Sequence, residues 1–375
     1  MASQTGKFGK HPSQIGWRWL GVLALGLGAC GPAALTPNAR PQVVAVGGVL
    51  CDLTRKVAKD TVDLTCLLEP GQDPHTYEPT SQDRKALETA QLVLYPGYDL
   101  IPTIDQLVRA AQTPTPKIAV FEQAVPKPLM GGGHDHDHEH GHEGEQTDST
   151  GDADHDHDHE HDHDHADDKA KTTATAEHDP EAQVPDPHVW NDVRNGIAAV
   201  GVIETALTQL VPQEAERYQT QASALTATLT KLDGWVRQQI GTIPPAQRKL
   251  VTTHDALSYY AQAYNLPIEG VLQGVTTDGR PTPTRIAQLA DQIRKAGVPA
   301  IFIESTANPD LINTVAKEAG VKVASDPLWV EGPGELGSGA DTYIGMIATN
   351  TCVIVTNLGG TCQPFTAAQE AGTRP

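Results

Sequence analysis

The chain has 375 residues, with 47 Asp and Glu against 27 Lys and Arg, a formal net charge of -20, and 38% apolar residues. That length suits one large domain or two ordinary ones, and the charge offers no basic face for a nucleic-acid groove. Beyond residue 30 no apolar run reaches the roughly 18 residues expected of a membrane-spanning helix. The acidity is local. Residues 131–187 hold 19 acids, 2 bases and 12 of the 16 histidines, whereas the remainder holds 28 acids and 25 bases. The body of the protein is nearly neutral, so its net charge says little about its partner.

In chain order, residues 1–29 read as a signal peptide. Lys7, Lys10 and Arg18 form a basic start, and Trp19–Ala29 is an apolar run too short to span a bilayer. It ends in Leu-Gly-Ala-Cys. This resembles a bacterial lipoprotein cleavage box, in which Cys30 would carry the lipid; a cysteine beside an ordinary cleavage site is the other reading. Export leaves Cys51, Cys66, Cys352 and Cys362, an even number in an oxidising compartment. Cys51–Cys66 and Cys352–Cys362 would close the shortest loops, but three pairings satisfy the count.

The body alternates strand and helix. Residues 41–50 read as a strand and glycine turn, 51–58 as helix, and 62–68 as a second strand. That strand runs into the polar loop Glu-Pro-Gly-Gln-Asp-Pro-His-Thr-Tyr-Glu-Pro-Thr. Loops at the carboxyl ends of strands are where open α/β sheets place ligands. A helix at 81–90 and short strands at 92–95 and 118–121 follow. After the acidic insert comes Asp-Pro-His-Val-Trp-Asn-Asp, then a helix over about 196–210. Residues 212–240 then run without an internal proline after Pro212, with Tyr218, Leu225, Leu229, Leu232, Trp235 and Val236 at roughly helical spacing. At 1.5 Å per residue this is a rod of about 40 Å, longer than an α/β crossover requires. The alternation resumes, with strands at 249–253, 268–275, 300–304 and 321–324 and helices at 284–296, 309–319 and 343–357. The fold class is therefore α/β. Two lobes, each a mostly parallel sheet flanked by helices, are joined by a long rigid helix. The expected boundaries are 41–211 for the first lobe, with the insert at 131–187 inside it, 212–240 for the linking helix and 241–369 for the second lobe.

Phosphate-binding and nucleophile motifs are absent: there is no GxGxxG after a strand, no GxxxxGK[ST] and no GxSxG. Three histidines remain once His11 and the insert are set aside: His75, His188 and His254. Each lies in or just after a loop that follows a strand or opens a helix. Two share Asp-Pro-His, where proline stiffens the loop. Neutral imidazole suits Zn2+, which takes four N, S or O ligands. Asp326, in the Ser-Asp-Pro turn that ends a strand, is the foremost fourth candidate; Glu78 or water competes with it. Asp73 and Asp186, two residues before their histidines, are candidates to accept from the rings and fix their tautomers. A three-histidine zinc with bound water would suit a hydrolase, but HExxH and a base at fixed spacing are missing. The plain alternatives are a surface histidine for His188 and a polar helix-start residue for His254.

Taken together, DPHTYEPT at 73–80, DPHVWND at 186–192, HDALSYYAQAYNL at 254–266, IES at 303–305 and SDPL at 325–328 resemble the metal-specific solute-binding proteins of bacterial ABC importers, in their zinc-uptake branch. The likeness covers residues 41–358 less the insert. It implies two α/β lobes joined by a rigid helix, with the metal in the cleft between them. It carries the first three ligands onto His75, His188 and His254. Manganese members typically have Glu at the third position, so His254 implies zinc; their fourth-ligand Asp falls on Asp326. The chain departs from the family in reading HVWNDV where members usually read HxWLDP, and in the glycine-rich tail after SDPL. The implied role is a zinc receptor and not an enzyme: a periplasmic monomer that passes Zn2+ to an inner-membrane ABC permease. A manganese receptor, a three-histidine zinc hydrolase and a metal-dependent adhesin are the rivals.

The insert alternates histidine with acid at His134, His136, His138, His140 and His142, and again at His155, His157, His159, His161, His163 and His165. Such a composition cannot bury a core and is expected to be disordered without metal. The resemblance implies loose auxiliary binding of several zinc ions there; a solvated spacer is the plain alternative. Its histidines titrate near 6.5, so its zinc binding is expected to weaken sharply below about pH 6.

Overall fold

A computed structural model describes residues 40–111, 113–131, 184–277 and 279–366. The expected signal peptide at 1–29, Cys30 and the insert histidines from His134 to His165 lie outside the described residues. From Arg40 onward the described residues form one compact unit.

The first half begins with β1 (Gln42–Val46), whose Val-Val-Ala-Val run is buried on both faces, as a central parallel strand must be. The chain then winds through α1 (Gly48–Ala58), β2 (Asp63–Leu67), α2 (Ser81–Thr89), β3 (Leu92–Tyr95), α3 (Pro102–Ala110), β4 (Lys117–Ala119) and α4 (Val120–Ala124). The four strands form one parallel sheet in the order β2-β1-β3-β4. Residues 118–121, read as a strand, split here: the ladder ends at Ala119 and Val120 already opens a helix. Two short strands, β5 (Met130–Gly131) and β6 (Val184–Pro185), pair antiparallel at the two ends of the insert.

The middle of the chain is helical. α5 (Val193–Leu210) starts at Asp192, which caps it by accepting from the Arg194 N–H. α6 (Ala215–Ile240) is the long rod, 26 residues and about 39 Å at 1.5 Å per residue. It packs against α1 and α5 on one side of the chain and α7 and α10 on the other. Its buried positions Tyr218, Leu225, Leu229, Leu232 and Trp235 form one apolar stripe.

The second half alternates again: β7 (Leu250–Thr252), α7 (Ser258–Tyr264), β8 (Ile268–Val271), α8 (Pro283–Ala296), β9 (Ala300–Ile301), α9 (Pro309–Ala319), β10 (Lys322–Val323) and α10 (Tyr343–Asn357). β7 pairs with β8 and β9 with β10, all parallel. The Phe302 N–H donates to the Val251 carbonyl, which sets β9 beside β7. α8 and α9 bury Leu289, Ile293, Ile312 and Val315 in a second core of their own, while the first sheet, α6 and α10 share the larger one. Among the described residues no helix is long and apolar enough to cross a membrane.

Of the three cysteine pairings the count allowed, the structure has Cys51–Cys66, joining α1 to β2, and Cys352–Cys362, joining α10 to the tail.

Candidate metal centre

His75 sits in the loop after β2. Its backbone N–H donates to Asp73 Oδ1 at 2.9 Å, and Asp73 Oδ2 accepts from the Thr277 hydroxyl in the second half. The far end of the loop is fixed by α2, where Thr80 and Asp83 form a capping box and Tyr77 Oη donates to Asp83 at 2.7 Å. His188 follows β6. Its Nδ1 lies 2.9 Å from Asp186 Oδ1, which also accepts its backbone N–H. His254 follows β7. Its Nδ1 is hydrogen-bonded to Glu304 Oε2, while Glu304 Oε1 accepts the N–H groups of Thr253 and His254.

A carboxylate only accepts, so in the neutral rings Asp186 and Glu304 hold the proton on Nδ1. The Nε2 lone pairs of His188 and His254 are then free to bind a cation. Asp186 thus touches the ring as expected, whereas Asp73 contacts the His75 backbone and positions the loop.

The three histidines converge with one further residue, Glu331, and the four ligand atoms all lie within 4.8 Å of one another. His75 Nε2 and His188 Nε2 are 3.2 Å apart. Glu331 Oε1 lies 3.5, 3.4 and 2.8 Å from the Nε2 atoms of His75, His188 and His254. Bonds of about 2.0–2.1 Å to a tetrahedral zinc put neighbouring ligands about 3.3 Å apart, so the set is close to the size that ion requires. All four side chains are at most 4% exposed. Yet Glu331 Oε2 makes no hydrogen bond, and Oε1 has only the imidazole nitrogens beside it. Orphaned buried atoms of this kind are costly, and a shared cation satisfies them together. The donor set therefore fits a divalent metal ion.

The electrostatics agree. Burial favours the neutral imidazole of His188, but Glu331 and Asp186 outweigh it and raise its pKa to about 9. Burial likewise opposes the charge on His254, and Glu304 and Glu331 reverse the balance, raising it well above the usual value. Burial pushes the Glu331 carboxyl up, whereas His188 and His75 pull it well below the ordinary range. Without metal the cluster carries protons, and a cation would replace them.

Asp326 is the correction. It is exposed, accepts from the Ser325 hydroxyl at 2.7 Å, and lies outside the cluster. Glu78 is also exposed and outside it. The acid that reaches the histidines is Glu331, five residues beyond Asp326. It ends the extended run Leu-Trp-Val, and its neighbour's carbonyl, Val330 O, accepts from Trp190 Nε1 at 3.0 Å. The sequence carried a faint signal, since Glu331 follows the apolar run Leu328-Trp329-Val330 as Glu304 follows Ile301-Phe302-Ile303.

The family model described as zinc-uptake complex component A, periplasmic (ZnuA) matches residues 43–357. The chain belongs to this family. It is a family of solute-binding transport receptors and not of enzymes. Among similar proteins is the zinc-binding protein TroA of Treponema pallidum, 28% identical over 347 residues, which cover 90% of this chain and 96% of that protein. The manganese-binding lipoprotein MntA of Bacillus subtilis is 29% identical over 331 residues, covering 86% and 92%. The solved structure of the periplasmic zinc-binding protein TroA superposes with a TM-score of 0.68 at 27% identity, covering 85% of this chain and 99% of that one. That likeness extends to the two-lobed α/β fold with its long linking helix.

Proposed function

We propose that the chain is a zinc receptor of an ABC importer. It captures Zn2+ outside the inner membrane with His75, His188, His254 and Glu331, and releases it to a membrane permease. The observation that carries this reading is the buried cluster of three imidazole nitrogens and one carboxylate oxygen, spaced for a tetrahedral ion. Imidazole suits zinc, whereas manganese favours oxygen-rich octahedral sites. The family description and the name of TroA support the same metal. Periplasmic location, lipid attachment at Cys30 and a monomeric state belong to this reading. So does auxiliary zinc binding by the insert histidines.

Manganese is the second reading, favoured by the carboxylate of Glu331 and by relatives named as manganese-binding lipoproteins. Competitive titration of the mature chain lacking 132–183, with elemental analysis of the bound metal, separates the two. One tightly held zinc per chain, not displaced by excess manganese and lost in His75→Ala, His188→Ala or His254→Ala, is the expected result. Preferential retention of manganese would move the protein to the other metal, and no stoichiometric metal would refute the receptor reading.

A further inference from the structure

The cluster is closed to solvent, so an ion needs a way in and out. Beside it lies a small cavity whose space for the centre of a water molecule is about 20 Å3. A polar site needs about 10–15 Å3 on that measure to hold one water. Glu331 lines it together with exposed Glu69 and Gln72 and with Ser305 and Thr306.

Two buried oxygens on this cavity are orphaned. Glu331 Oε2 and the Thr306 hydroxyl are both without a hydrogen-bond partner. An unpaired buried hydroxyl costs free energy, and its place beside a metal-cluster carboxylate gives it a use.

The two walls differ in how firmly they are built. On one side Gly48 packs against Gly332 and Pro333 so closely that a Cβ there would meet Pro333 Cδ at 3.0 Å. The other side is the turn Glu69–Gln72. It is held by its own bonds, from the Glu69 N–H to Gln72 Oε1 at 2.8 Å and from the Gln72 N–H to the Glu69 carbonyl at 3.1 Å. Gly71, at φ 81°, has nothing within 4 Å of where a Cβ would stand. The tip of the turn at Gly71 thus faces open space.

Resting on the receptor reading above, we propose that this cavity is the ion's passage. The ion crosses between the Glu69–Gln72 turn and the Ser305–Thr306 loop, and the Thr306 hydroxyl serves as a stepping ligand on the way to Glu331. Glu69, exposed at the mouth, presents the first carboxylate. The wall at Gly48 and Pro333 stays fixed while the turn moves.

A passage governs rates and leaves the equilibrium alone, because it touches neither end state. The test is stopped-flow measurement of zinc association and of dissociation into a chromophoric chelator. It uses the mature chain lacking 132–183, so that the insert histidines do not mask the cleft. Gln72→Trp fills the mouth and Thr306→Val removes the stepping hydroxyl at nearly constant shape. Gln209→Trp, an exposed site on α5, is the control for surface bulk. Both passage variants are expected to slow association and dissociation together, by about fivefold or more, with the dissociation constant and the one-zinc stoichiometry unchanged. Stoichiometric zinc with wild-type rates in both variants would overturn the passage alone. So would an altered affinity carried by only one of the two rates, since the residue would then be acting on the bound ion. Absence of stoichiometric zinc from the parent chain would overturn the receptor reading and the passage with it.

Discussion

Four side chains meet at one point, and the hydrogen bonds behind them set their proton states. Asp186 and Glu304 sit on the Nδ1 side of His188 and His254 and turn Nε2 toward Glu331. This fixes how metal binding depends on pH. The folded-state pKa of His188 is raised, to about 9. Its charged form therefore stabilises the metal-free protein fully below about 6.5, and that contribution is lost as pH rises through about 9. Glu331 works the other way, since its depressed pKa contributes stability above the ordinary carboxylate range that is lost as pH falls. A metal ion must displace the His188 proton, so binding at pH 7.5 is expected to release protons, and affinity is expected to rise with pH up to about 9. Calorimetry in two buffers of different ionisation enthalpy reads this directly; identical heats would refute it. The identity of the fourth ligand is equally testable. Glu331→Gln is expected to weaken zinc binding by at least the 10–100-fold that loss of even an outer-shell partner costs, while Asp326→Asn leaves it unchanged; the reverse order in a competition assay would restore Asp326. The three histidines were legible because so few histidines lie outside the insert and because proline stiffens two of their loops. Glu331 was not, because Asp326 occupies the same kind of strand-ending turn and only burial separates them.

At the scale of elements, close approach can matter more than propensity. Gly196 lies in the first turns of α5, where alanine would normally strengthen a helix by about 0.5–1 kcal/mol. A Cβ there would meet the Tyr343 hydroxyl at 2.5 Å, and that hydroxyl donates to the Trp190 carbonyl at 2.6 Å, two residues from His188. Overpacking a buried contact costs about 1–3 kcal/mol, so Gly196→Ala is expected to destabilise the protein on balance. Gly201, further along the same helix, has nothing within 4 Å of a would-be Cβ, so Gly201→Ala is expected to show the propensity gain. Urea midpoints of the two variants should therefore move in opposite directions; a shift in the same direction would mean that Tyr343 yields without cost. Most helices here were readable from apolar spacing, although α3 was not. The strand ends were less so. Residues 118–121 are apolar throughout, and nothing local marks where the ladder stops and α4 begins. The pairing of Met130–Gly131 with Val184–Pro185 is set by two short segments with the whole insert between them, and no local pattern announces it.

For the molecule as a whole, this pairing brings the two edges of the described body at Gly131 and Val184 together. Gly131 and Val184 are cross-strand partners, so the chain leaves and re-enters the described body at one point. The anchorage is tied to the cluster: the Asp186 N–H donates to the Leu129 carbonyl, and Tyr259 accepts the Leu129 N–H and lies 3.3 Å from the Asp186 carbonyl. Replacing 132–183 by a two-residue Asn-Gly turn is therefore expected to keep the hairpin, because such turns suit adjacent antiparallel strands. Shortening a 52-residue connection to two lowers the entropic cost of closing it by at most about 3 kcal/mol, at about 0.6 kcal/mol per halving. The short chain is thus expected to melt several degrees higher than the full one. The charge argument points the same way, since the removed stretch carries most of the protein's excess acid and its self-repulsion. Metal stoichiometry should fall to one ion per chain while the tight site persists. Calorimetric melting and elemental analysis of the two forms check both parts. A short form that melts lower or loses its tight ion would mean that the insert supports the cleft itself, and that the hairpin is not enough to hold Asp186 and His188 in place.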